Sequence, residues 1–145
     1  MKKIFDEVSE KCSEITTKRY STSFSLGIKL LDKNIHKPIY SIYGFVRVAD
    51  EIVDSFHDYN KKELLQQFRN ETQEAIKNKI SLNPILNSFQ NVVNQFNIEW
   101  EHIEHFLNSM ENDLDKKEHD EKSYKLYIKG SAEAVGLMCL RVFCN

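Results

Sequence analysis

The sequence predicts an all-α fold, and three features carry that prediction. Four glycines and two prolines in 145 residues leave few of the turns that a many-stranded fold needs. Apolar residues recur every three or four positions through most of the chain, which is the helical period. One segment, Pro38 to Asp54, is apolar nearly all the way round and belongs inside a domain. Six or seven helices and no strands follow. Ile4, Val8, Cys12 and Ile15 mark an amphipathic first helix. The hydroxyls of Tyr20-Ser-Thr-Ser-Phe-Ser25 interrupt it, and a short apolar segment continues to Leu31. Asp32 to Pro38 is a loop and helix start, since proline is tolerated in a first turn. The buried helix runs to about Phe56, and Asn60 caps the helix after it. Leu64, Leu65, Phe68, Thr72, Ala75 and Ile76 line one face of that next helix, which Ser81-Leu-Asn-Pro84 ends. Ile85 to Phe96 is another, and Trp100, Ile103, Phe106, Leu107 and Met110 define the one after. Asp113 to Glu121 is charge-dense and reads as a helix end and loop. The last helix begins near Ser123 and remains apolar to Phe143.

A hydrophobic content of 41% suffices for one domain with a core. Twenty basic and 22 acidic side chains give a net charge of -2, which argues against a nucleic-acid surface. Cys12, Cys139 and Cys144 are odd in number and contain no Cys-x-x-Cys pair, so reduced thiols and a cytoplasmic setting are expected. Acidic residues follow Met1-Lys-Lys at once, which does not suit a secretory signal. No run approaches the roughly 20 apolar residues of a spanning helix. Membrane contact would be peripheral, through an apolar substrate.

The Pro38 to Asp54 segment carries the chemistry. Tyr43, Arg47, Asp50 and Asp54 stand at i, i+4, i+7 and i+11, a single helical stripe, with Glu51 beside it. Two buried carboxylates one turn apart repel unless a positive charge lies near them. Arg47 itself could be that charge, in a plain ion pair with Asp50 or Asp54. Alternatively a divalent cation fills the role, because Mg²⁺ takes one or two carboxylates with phosphate oxygens, and arginine grips phosphate. Hydroxyls such as Ser21 and Ser23 are most often helix caps, and otherwise hydrogen-bond donors to an anion. On the last helix Tyr127, Ser131, Ala134 and Met138 share a face, where small residues allow close packing or a groove for an apolar ligand.

Three stretches in order resemble the squalene/phytoene synthase family of head-to-head prenyltransferases. They are Ser21-x-Ser-Phe-Ser25, Tyr40-Ser-Ile-Tyr-Gly-Phe-Val-Arg-Val-Ala-Asp-Glu-Ile-Val-Asp54 and Tyr127-x-x-Gly-Ser-Ala-x-x-Val-Gly-Leu-Met138. The resemblance implies an isoprenoid-synthase-type helical bundle and the joining of two allylic prenyl diphosphates with Mg²⁺. It implies metal binding by Asp50 and Asp54, with Glu51 in the acidic position between them, and diphosphate contacts from Arg47, Ser21, Ser23 and Tyr127. It places Phe24, Tyr43, Ala132, Val135 and Gly136 along a prenyl pocket. Closeness of the third stretch to bacterial phytoene synthases favours geranylgeranyl diphosphate and carotenoid biosynthesis, with farnesyl diphosphate and a squalene or dehydrosqualene product as the alternative.

Lys129 and Glu133 stand where many relatives carry tyrosine and glycine, and Tyr20 where some carry histidine. The family's second aspartate motif has no counterpart here, and Asp113-Leu-Asp115 precedes the third stretch and cannot replace it. Residues 1–145 therefore correspond to the N-terminal portion of a single synthase domain. Alone they are expected to be catalytically silent and inclined to self-associate. Two other classes remain. A di-iron bundle would need a second Glu-x-x-His beside Glu99-Trp-Glu-His102. A non-catalytic helical binding module would leave Asp50 and Asp54 paired with cations of the chain.

Overall fold

A computed structural model of the chain describes residues 1–114 and 121–144, and of 121–129 the backbone alone. The described residues form seven α-helices without a strand: α1 Lys2–Tyr20, α2 Thr22–Lys29, α3 His36–Asp54, α4 Lys61–Asn78, α5 Pro84–Phe96, α6 Trp100–Leu114 and α7 Glu121–Phe143. A short 3-10 turn, Lys33–Ile35, precedes α3. The boundaries follow local chemistry. Ser21 is extended, so α1 stops there, and its side chain accepts from the Phe24 amide to start α2. Asn60 accepts from Glu63 N at the head of α4, and Asn83 accepts from Ile85 N and Leu86 N with Pro84 behind it. Lys79 and Asn97 close α4 and α5 in the left-handed region, at φ of 60° and 54°. The helix end and loop expected over Asp113 to Glu121 lie mostly outside the described residues; α6 is described to Leu114 and α7 from Glu121, two residues ahead of the expected start near Ser123.

α3 is the central helix and packs on α1, α4, α5, α6 and α7. Its Phe45 is fully buried, stacked on Phe89 at 4.0 Å between ring centroids and flanked by Phe68 and Phe106 at 5.3 and 5.7 Å. The amphipathic reading of α1 is corrected in one respect, the face that is buried. Ile4, Val8 and Ile15 point outward, while Ser9, Ser13 and Thr17 are fully buried. Hydrogen bonds make that inversion tolerable. Ser13 Oγ donates to Ser88 Oγ, which also pairs with Ser41 Oγ, and Asn87 Nδ2 donates to Ser9 Oγ and Asp6 Oδ1. Small residues let the helix axes approach, and Gly44 is the tightest point.

A β-carbon at Gly44 would lie 2.9 Å from Ser13 Oγ and 3.3 Å from Ser13 Cα. Neither the α1 backbone nor a hydrogen-bonded hydroxyl can yield freely. Gly44→Ala should therefore destabilise the protein by about 1–3 kcal/mol despite alanine's better helix propensity. Urea unfolding of the two proteins measures the difference.

Candidate active site

The inner stripe of α3 brings Tyr43, Arg47 and Asp50 toward α2, α6 and α7. An open cavity of about 300 Å³ lies there. Phe24 of α2 stacks on Tyr43 at 4.7 Å and forms one wall, and Ile39, Ile42 and Val46 continue it along α3. Phe106 and Met110 of α6, then Ser131, Ala132, Val135 and Cys139 of α7, form the opposite side. Burial pushes the Cys139 thiol up to about 11, so this wall stays neutral. Among the described lining residues Asp50 alone carries a charge. An apolar trough ending in a carboxylate suits an amphiphile with a long apolar tail and a polar head.

The charged end is compact. Arg47 Nη1 donates to Asp50 Oδ2 at 3.2 Å, and Nη2 donates to Glu51 Oε1. The guanidinium also covers the Tyr20 ring, its Cζ 4.5 Å from the centroid. Burial pushes the Asp50 carboxyl up to about 6, and the Asp54 charge adds to that, partly opposed by Arg47. Glu51 and Asp113 push in the same direction as Asp54. Hydrogen bonding from Arg47 holds the Glu51 carboxyl below its usual range. Arg47 Nε is buried with no hydrogen-bond partner among the described residues, so the ion pairs leave part of its donor capacity unused.

The structure thus brings Phe24, Tyr43, Arg47, Asp50, Ala132 and Val135 to one cavity and its mouth. Asp54 is exposed one turn beyond Asp50, near enough to act on it electrostatically. Ser21 serves as the α2 cap, and Ser23 is exposed. Gly136 lies on the exposed side of α7 and does not line the cavity. The Tyr127 and Lys129 side chains lie outside the described residues. Three contributors escaped the sequence reading. Asp113 follows Phe106 and Met110 at i+7 and i+3, the helical spacing that takes it to the same side of α6. Tyr20 adjoins the hydroxyl cluster, but only the fold shows its ring against Arg47. Cys139 was read only as one of three reduced thiols, and the fold places it on the cavity wall.

These groups fit a magnesium ion in donor chemistry. Asp50 and Asp54 offer hard oxygens, and their mutual repulsion is what a cation relieves. Among the described residues no three His, Cys, Asp or Glu side chains converge into a ready-made metal cage. The second Glu-x-x-His of a di-iron bundle is not found, and His102 instead pairs with Glu99 near the surface. No helix among the described residues is long and apolar enough to cross a membrane.

The described residues thus define an all-α bundle whose central helix carries carboxylates beside an apolar trough. The squalene/phytoene synthase profile matches residues 17–145, and the chain belongs to that family. The presqualene diphosphate synthase of Rhodopseudomonas palustris (strain ATCC BAA-98 / CGA009) is 27% identical over 125 residues, which are 84% of this chain and 44% of the relative. The crystal structure of squalene synthase HpnC from Alicyclobacillus acidocaldarius superposes with a TM-score of 0.84 at 19% identity, over 97% of this chain and 53% of that one. A dehydrosqualene synthase in complex with ligand gives 0.76 at 24% identity, over 94% and 47%. Both confirm the helical fold. The chain spans about half the length of these relatives.

Proposed function

We propose that this chain supplies the first-aspartate half of a head-to-head prenyltransferase site, with farnesyl diphosphate as the favoured substrate. The observation that carries the reading is the apolar trough ending at Asp50, one turn before Asp54 and beside Arg47. Asp50 and Asp54 would hold magnesium, which when bound supplies Lewis-acid withdrawal of charge from a departing diphosphate. Arg47 would turn the donor it now gives Asp50 to the anion while Glu51 keeps the other. Tyr127 is assigned the same contact by resemblance, as is Ser23, whereas Ser21 would have to give up its cap. Phe24, Tyr43 and Val135 would keep water from the allylic carbon. The resemblance to phytoene synthases pointed to geranylgeranyl diphosphate. The presqualene diphosphate synthase relative supports a squalene-type reading instead, which implies the shorter farnesyl chain.

Binding of non-hydrolysable thiolodiphosphate analogues, with and without Mg²⁺, tests this. Residues 1–145 should bind the farnesyl analogue in a magnesium-dependent way and condense nothing from farnesyl diphosphate itself. Extension to the length of the relatives should bring turnover. A second reading, the non-catalytic module, is favoured by the Arg47–Asp50 pair. Magnesium-independent binding, or none, would establish it.

A further inference from the structure

We propose that Tyr20 is a positioning residue for Arg47, holding the guanidinium at the cavity mouth by stacking beneath it. The proposal rests on the diphosphate reading of the site. Tyr20 is the last residue of α1 and is 52% exposed as a residue, so core packing does not explain where it sits. Its ring instead takes the face of Arg47, at 4.5 Å. Two of the three contacts on that guanidinium are carboxylates, Asp50 and Glu51. If Asp50 turns toward a metal, Glu51 and the Tyr20 ring are what still hold the arginine in place. Without the ring, a long side chain regains rotamers that must be lost again when an anion binds. Arg47 is the first cause that holds the Glu51 carboxyl below its usual range, and the Tyr20 hydroxyl acts weakly in the same direction. A ring supports a cation without withdrawing its donors, which leaves the N–H edge of Arg47 for phosphate oxygens.

The test is titration of the 145-residue chain with inorganic pyrophosphate in excess Mg²⁺, followed through the Arg47 Nε–Hε resonance. In the free protein that resonance should be shifted by the Tyr20 ring current, retained in Tyr20→Phe and lost in Tyr20→Leu. Tyr20→Phe should bind within about twofold of wild type, and Tyr20→Leu about threefold to fivefold more weakly. In an Arg47→Gln background, Tyr20→Leu should have no further effect. Thermal melting should show every variant folded, as expected for a half-exposed position. Wild-type affinity in Tyr20→Leu, or an equal loss in the Arg47→Gln background, overturns the positioning role alone. Failure of the wild type to bind pyrophosphate overturns the diphosphate reading beneath it.

Discussion

Asp50→Asn should abolish the response of the protein to magnesium and, without metal, make it more stable at pH 7.5. The two effects have one origin. The folded Asp50 carboxyl titrates near 6 against an ordinary 3.8, because burial and the Asp54 charge outweigh the help from Arg47. A carboxyl with a raised folded pKa binds more protons folded than unfolded between those two values. Its contribution therefore becomes less favourable as pH rises from about 4 to 6, and the full penalty persists above 6. Asparagine keeps the shape and cannot ionise, so the variant should gain in melting temperature at pH 7.5 and show no gain at pH 3.5. Wild-type protein should melt higher with Mg²⁺ at pH 7.5, by mass action on the folded state, and the variant should not. Scanning calorimetry at the two pH values, with and without Mg²⁺, measures all of this. An unchanged magnesium response in Asp50→Asn would remove the metal assignment.

Phe45→Ala should be the most destabilising single truncation in the core. The side chain is fully buried and contacts three other phenylalanines drawn from α4, α5 and α6. Emptying that position opens a cavity among elements that cannot all close on it at once. The expected loss is about 3–5 kcal/mol, against about 5–15 kcal/mol for a whole small domain. Phe45→Leu should lose distinctly less. Urea unfolding at pH 6, where the wild type is not strained by a fully charged Asp50, gives the comparison. A loss under about 1 kcal/mol would mean that α3 is not the hub of the packing.

Both expectations rest on α3, which was also the most legible part of the sequence. Its apolar circumference announced burial, and charged residues inside such a ring announced a site. The cap at Asn60 could likewise be read, because a side chain before a helix accepts from backbone amides only two or three residues away; the same role of Asn83 was not read. α1 was legible as a helix but not in its orientation. Periodicity says which residues share a face, whereas the choice of buried face depended on Ser41 and Ser88, remote in sequence and able to receive hydroxyls. Tyr20 and Asp113 were missed for the same reason: their neighbours at the site come from another helix. Arg47 kept two readings because its pairing with Asp50 and a grip on phosphate need the same atoms.

The buried hydroxyls of α1 have a consequence for alignment. An aliphatic seam between helices tolerates sliding, since one methyl group replaces another. A hydroxyl seam does not. A one-turn slide of α1 would bring Phe5 to the place of Ser9, against the Asn87 amide, and would leave the Asn87 donor facing a ring. The same slide would only exchange Ser9 for Ser13 against Gly44, so it is the Asn87 contact that tells the two registers apart. The seam thus works as a ratchet tooth with one seat, fixing where α1 ends and hence where the chain turns at Ser21 to deliver α2 and Phe24 to the cavity.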